Sequence, residues 1–240
     1  MTAKATAGKL YLIPTTLGDG DLDRVIPQPV QGIIRSLDTF IVEHPKTARL
    51  FLKQVGTAIP VQEIRMLTLD EHTKPADLLD LLQPVLLGKD VGLMSEAGCP
   101  AVADPGANLV RLAHQKNVRV VPLVGPSSIL LALMGSGLSG QCFAFHGYLP
   151  VEKEARRKRI AELESESRNK RQTQIFIEAP YRNQQLLQAI VEACDKNTRL
   201  CVATDLTLAT EDIATKTVGE WRNHQPDINK RPSIFLLYVG

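Results

Sequence analysis

Val91–Gly106 reads VGLMSEAGCPAVADPG. Its first four residues, Val91–Met94, are uncharged and apolar, the pattern of a strand covered on both faces. The next twelve, Ser95–Gly106, hold Gly98, Pro100, Pro105 and Gly106, with Asp104 among them. Glycine lets a backbone approach a ligand closely, and proline fixes a turn. A strand–helix connection usually takes about 2–6 residues, so this one is long. A rigid loop with its N–H and C=O groups turned outward suits an amino-acid or adenosine moiety. The plainer alternative is a simple connection in which Asp104 caps the next helix. The loop is not a GxGxxG fingerprint, and GxxxxGK[ST] occurs nowhere in the chain, so the standard dinucleotide and NTP signatures are absent.

The surrounding chain alternates strand and helix. Leu10–Ile13, Thr39–Val42, Met66–Leu69 and Val118–Leu123 are short apolar runs. Between them, helical spacing appears at Pro29–Leu37, Lys46–Val55 (stopped by Gly56), Ala76–Leu87 and Asn108–Lys116. Pro84 is expected to kink or divide the third of these. Strand and helix in alternation imply βαβ units and a mostly parallel sheet, with ligands bound beyond the carboxyl ends of its strands. That rule selects three loops: Pro14–Gln28, Ser95–Gly106 and Val124–Ser128. Past Pro126 the texture changes. A short helix at Ile129–Leu133, a highly charged one at Glu152–Glu166 and another at Asn183–Cys194 are set among strands at Phe143–His146, Gln174–Glu178, Leu200–Thr204, Ile213–Val218 and Ser233–Val239. Closer, more alternating strands predict a mixed sheet. The reading is two α/β domains, 1–124 and 125–240, and a cleft between two such domains is a common cofactor site.

Composition bounds the function. The chain has 240 residues, 44% hydrophobic and 22% charged, with a net charge of +2, which excludes a large basic field of the kind strong non-specific nucleic-acid binders carry. Only the small, polar Met1–Gly8 is expected to be poorly ordered. Cys99, Cys142, Cys194 and Cys201 contain no C-x-x-C pair. They read as reduced thiols and point, with the lack of an apolar signal core in MTAKATAGKL, to a cytoplasmic protein. The longest apolar stretch, Val118–Leu138, is broken by prolines and glycines and cannot span a membrane. Asp19, Asp21 and Asp23 have calcium-loop spacing, but Val30 stands where the closing glutamate belongs, so no metal is expected. Arg156, Arg157, Lys158 and Arg159, with Arg168, Lys170 and Arg171, form a basic run that either tracks phosphates or is a solvated helix face neutralised by interleaved glutamates.

Seven segments in order carry a resemblance: YLIPTTLGD at 11–19, VEHPKTAR at 42–49, SEAGCPAVADPG at 95–106, VVPLVGPSS at 120–128, FHGYLP at 145–150, EAPYRN at 178–183 and DLTLATED at 205–212. From about Leu10 to Gly240 the chain resembles the tetrapyrrole-methylase fold family of S-adenosylmethionine-dependent methyltransferases, nearest to its branch acting on ribose 2′-hydroxyls of small-subunit ribosomal RNA. The resemblance implies two α/β domains with S-adenosylmethionine folded between them, a homodimer, and an RNA partner. It places Ser95, Ala97, Gly98, Pro100 and Val102 around the methionine end, with Ser127 and Ser128 beside them and Pro14 under the sulfonium. It places Leu149, Ala179, Pro180 and Pro232, Ser233 and Ile234 on the adenine side.

Methyl transfer mostly needs positioning, but a ribose hydroxyl must also lose a proton. Glu43, Glu96, Glu178 and His146 are the possible bases. The chain departs from the branch pattern mainly on the acceptor side. Its first loop reads TTLGDGDLDRVIP rather than PIGNLxDIT, VEHPKTAR replaces AEDTR, EAPYR replaces ESPHR, and the sequence stops at Gly240, before the extension common in that branch. SEAGCP stays near SDAGTP. A methylase of a tetrapyrrole or another small molecule, and a binding protein without catalysis, are the competing expectations.

Overall fold

The computed structural model describes Ala7–Gly240; Met1–Thr6, most of the polar N-terminal stretch, lie outside the described residues. The described chain divides into two compact units, one ending at Ser127 and the other spanning Ser128–Gly240.

The first unit runs β1 (Lys9–Ile13), α1 (Leu22–Val25), α2 (Gln28–Ser36), β2 (Thr39–Val42), α3 (Pro45–Val55), β3 (Arg65–Thr68), α4 (Leu78–Leu86), β4 (Val91–Met94), α5 (Gly106–Gln115) and β5 (Arg119–Pro122). Its strands form one parallel sheet in the order β3-β2-β4-β1-β5. Pleating sends alternate residues to opposite faces. Phe40, Val42 and Met94 join Ile34 and Leu52 on one side, while Ile41, Val91 and Leu93 join Leu82 and Leu109 on the other. Gly92 is required where β4 passes under both neighbours, because a Cβ there would lie 2.4 Å from Ile13 Cδ1 and 2.8 Å from Phe40 Cδ1. Prolines open α2 and α3, and Gly56 at φ +77° ends α3. Helix α4 is not divided at Pro84. The carbonyl that Pro84 leaves without its helical partner belongs to Asp80, an exposed residue, so water can serve it.

The second unit runs α6 (Ser128–Ser136), β6 (Phe143–Tyr148), α7 (Lys153–Lys170), β7 (Thr173–Ile177), α8 (Asn183–Ala193), β8 (Arg199–Thr204), β9 (Asp212–Thr217), α9 (Val218–Asn223) and β10 (Ser233–Tyr238). The sheet order is β6-β7-β10-β8-β9, with β6 and β7 parallel and the other pairings antiparallel. Phe176 stacks on Phe235 with centroids 6.1 Å apart, and Ile160, Leu186, Ile190 and Trp221 close over them. Helix α9 falls where the sequence reading ended a strand at Val218. Its start is a capping box, Thr217-x-x-Glu220, in which the Thr217 hydroxyl accepts from Glu220 N while the Glu220 carboxylate accepts from Thr217 N.

Candidate functional site

Strands β4, β1 and β5 are adjacent and parallel, so their carboxyl ends deliver three loops to one edge. These loops are physically joined. Thr15 N donates to Gly98 O at 2.9 Å, Thr15 Oγ1 donates to Ser95 O at 3.5 Å, and Cys99 Sγ donates to Pro126 O at 3.4 Å. Gly125 rests on Pro14 so closely that a Cβ would stand 2.2 Å from Pro14 Cγ. That contact ties Gly125–Ser127 to the first unit.

Within the central loop Asp104 turns inward. Its carboxylate accepts from Ala101 N at 2.8 and 2.9 Å and from Gly106 N at 2.7 Å. This holds Ala101 and Ala103 at φ +65° and +61°, a left-handed conformation that costs a non-glycine residue roughly 1–2 kcal/mol. Gly98, at φ +73°, meets no such penalty. Burial pushes the Asp104 carboxyl up against the pull of those N–H groups. A small cavity beneath the loop is lined by Glu43, Ser95, Pro100 and Asp104. Glu43, at the end of β2, accepts from Glu96 N at 3.2 Å. Burial raises its carboxyl, and the like charges of Glu96, Asp104 and Glu71 add to the rise against that one hydrogen bond. Val102 is half exposed at the loop crest, whereas Pro14, Gly98 and Pro100 are buried and Glu96 and Ala97 exposed. Segments 95–106 and 124–128 contain no lysine or arginine. Backbone polar groups, apolar walls and an excess of carboxylates are a donor set for a cation on an apolar chain, and a sulfonium meets that description.

The second unit gathers three motifs around the ends of β7, β8 and β10. The Glu178 side chain is fully buried; its Oε1 accepts from Ala179 N at 2.7 Å and from Arg182 Nη2 at 2.6 Å. Asn183 Nδ2 donates to Arg231 O at 2.6 Å, and Lys230 N donates to Pro180 O at 3.0 Å. Arg231 bridges to Asp205, whose N–H donates to Pro232 O. Asp205 and Thr207 hold φ +51° and +73°. Glu178 Oε2, Arg182 Nε and Asn183 Oδ1 are buried without hydrogen-bond partners among the described residues. Ser233 Oγ lies 3.1 Å from Thr204 Oγ1, while Leu149 and Ile234 are buried. Ser128 opens α6.

His146 is engaged at both nitrogens. Gln174 donates its amide to Gln172 and so presents Oε1 to His146 Nε2 at 2.6 Å, which puts the ring proton there; Nδ1 accepts from Arg159 at 3.3 Å. Asp21 caps α1, and Asp23 accepts from Gln28 and Gln31, so these two aspartates of the first loop serve local structure. All four cysteines are free thiols; burial raises Cys201 to about 11. The sequence reading named Glu178 but not Arg182, Asn183 or the Asp205–Arg231 pair. Arg182 and Asn183 lie within EAPYRN and Asp205 within DLTLATED, segments that carry the resemblance, while Arg231 lies in neither.

The described residues form two α/β units, one with a parallel sheet and loops gathered at its carboxyl edge and one with a mixed sheet. The crystal structure of the methyltransferase CobJ superposes with a TM-score of 0.64 over 98% of this chain and 95% of that one, at 15% identity. Cobalt precorrin-4 methyltransferase CbiF gives 0.60 over 96% and 94%, also at 15%. These likenesses establish the fold. A family model for tetrapyrrole (corrin/porphyrin) methylases matches residues 9–221, and the chain belongs to that family. It is 31% identical to ribosomal RNA small subunit methyltransferase I of Escherichia coli O157:H7 over 99% of this chain and 79% of that protein. It is likewise 31% identical to the protein of the same name from Xylella fastidiosa, over 98% and 82%.

Proposed function

We propose that this protein is an S-adenosylmethionine-dependent methyltransferase of small-subunit ribosomal RNA that methylates a ribose 2′-hydroxyl. The observation that carries this reading is the 31% identity, sustained over nearly the whole chain, to proteins named for that substrate. The intact Ser95–Gly106 loop supports the donor. Such an enzyme works in the cytoplasm, and the homodimer follows the same family resemblance.

Pro14, Ser95, Ala97, Gly98, Pro100 and Val102 hold the methionine end of S-adenosylmethionine, with Ser127 and Ser128 beside them. Ala179, Pro180, Pro232 and Ser233 meet the adenine, and the buried Leu149 and Ile234 contribute backbone. Bound there, S-adenosylmethionine supplies an electrophilic methyl group. The protein's own tasks are orientation and removal of the hydroxyl proton. Among Glu43, Glu96, Glu178 and His146, Glu43 suits the proton. Its Oε1 is free while Oε2 accepts from Glu96 N, and its raised carboxyl holds a proton more readily than an ordinary glutamate. Glu178 is committed to Arg182, and His146 to Gln174 and Arg159.

Transfer of tritium from labelled S-adenosylmethionine to purified small ribosomal subunits lacking the modification tests the proposal. Label in RNA, at a ribose by nuclease digestion, is expected. Label in a tetrapyrrole instead, or calorimetric binding of S-adenosylmethionine with no transfer to any acceptor, would overturn it.

A further inference from the structure

The basic run at 153–171 is not one surface. On one side of α7, Arg159 pairs with Glu162 at 3.2 Å and Glu166 at 2.9 Å, and Lys170 pairs with Glu166 at 3.2 Å. That side is the neutralised helix face. On the other, Lys153, Arg156 and Arg157 line an open groove against α8, and none of the three forms an ion pair among the described residues. Arg156 is only 8% exposed, and its Nε has no hydrogen-bond partner; one contact, Nη1 to Val151 O at 3.4 Å, is long. Glu152, the neighbouring acid, caps the helix by accepting from Glu154 N and Ala155 N and attracts Arg156 without a direct ion pair. A nearly buried guanidinium with an unused donor is costly unless an anion completes it.

The opposite wall is made of amides. Gln184 Nε2 donates to Gln225 Oε1 at 3.4 Å, Gln225 Nε2 donates to Gln188 Oε1 at 2.9 Å, and Gln188 Nε2 donates to Glu192 Oε1 at 2.7 Å. Each amide nitrogen spends one hydrogen on the chain and keeps another. Glu192 accepts one of these N–H groups and is the one carboxylate set among Lys153, Arg156 and Arg157, so cations and free amide hydrogens outnumber it there. It continues past Gln184, Gln185 and Gln225 to Asp227, whose carboxylate accepts from Asn229 N at 3.1 Å, and to Tyr181, which is 62% exposed with Arg182 packed on its ring at 5.1 Å.

We infer that this groove grips the sugar–phosphate backbone of unpaired RNA. Lys153, Arg156 and Arg157 contact phosphate oxygens, the glutamines meet ribose hydroxyls, and Tyr181 offers a base a stacking face. The inference rests on the ribosomal-RNA reading above and names the surface that holds that substrate. An acidic peptide would use the cations but would leave the amide wall and the exposed ring without a purpose.

Fluorescence anisotropy with a labelled, mixed-sequence oligoribonucleotide tests it, using Lys153→Gln/Arg157→Gln on the exposed rim. Counterion release makes each lost phosphate contact worth a factor of about 5–8 near 0.1 M salt, so the double variant should bind roughly thirtyfold more weakly. The slope of log affinity against log salt should become shallower by roughly 1.5. KM for small ribosomal subunits should rise while S-adenosylmethionine affinity and Tm hold. Arg156→Gln should add to the loss; its Tm is read in parallel because the residue is buried. Lys53→Gln/Lys74→Gln, exposed in the first unit, is the charge-matched comparison. Equal losses in both double variants, or none in either, overturn the groove, as does a loss on whole subunits with none on naked RNA, which assigns it to a protein partner. Methyl transfer to subunit RNA with an unaffected groove variant keeps the ribosomal-RNA reading and rejects only the groove. Absence of transfer by the wild type rejects both.

Discussion

Gly125→Ala is the smallest change that tests whether the three loops act as one site. The added Cβ would stand 2.2 Å from Pro14 Cγ and 2.4 Å from Pro14 Cβ. Carbon atoms pack best at about 3.5–4.0 Å, so well over an ångström of overlap must be relieved. The proline ring cannot rotate away, and Pro14 is followed by Thr15, pinned to Gly98 O at 2.9 Å. The loop at 124–127 must therefore retreat and pull Pro126 O from Cys99 Sγ. Overpacking of this kind costs about 1–3 kcal/mol. For a chain of 240 residues that is a Tm drop of roughly 2–12 °C, at about 2–4 °C per kcal/mol. S-adenosylmethionine affinity, measured by calorimetry, should fall at least about tenfold, because the walls on both sides of the Gly98 backbone separate; that is a further loss of about 1.4 kcal/mol. Gly125→Ala with wild-type melting and wild-type binding would refute the joined-loop description, and lost stability with intact affinity would confine the contact to folding.

Gly32→Ala is the matched control, since an added Cβ there meets nothing within 4 Å and the residue is exposed within α2; thermal melting should show a gain of about 0.5–1 kcal/mol. Glu43→Gln should lower methyl transfer by about 10²–10⁴-fold with S-adenosylmethionine binding retained. In the wild type, activity should fall as pH drops through a carboxyl lying above the usual glutamate range, and the variant should lose that limb. A carboxyl raised by folding favours the native state when protonated and loses that favour as pH rises through its native value. Glu43→Gln should therefore raise Tm at neutral and higher pH, the gain vanishing in acid below the ordinary glutamate range. Arg182→Leu strands the buried Glu178 carboxylate and should lower the urea midpoint, while Glu178→Gln/Arg182→Leu should recover much of the loss; equal losses would show that the pair is not coupled.

The parallel sheet was legible through its strands β2 and β4, which are buried on both faces and so lack charge: Thr39–Val42 and Val91–Met94 are found where their composition places them. The loop after β4 was legible for a related reason, its glycines and prolines being the residues that a fixed, close-approach backbone demands. What composition did not reveal is how that loop is held. Asp104 was open to reading as a helix cap, and it does accept from Gly106 N at the start of α5. The same carboxylate also clamps Ala101, and the two alanines at positive φ give no warning in sequence because nothing about alanine invites that conformation. Pairing was equally hidden. Seven basic residues at 156–171 look alike in one dimension, yet only three dimensions separate Arg159, which faces Glu166, from Arg156, which faces amides and an open groove. Charge runs along a helix are read by rotation about its axis, and here that rotation divides one ambiguous motif into a neutral flank and an anion-seeking one.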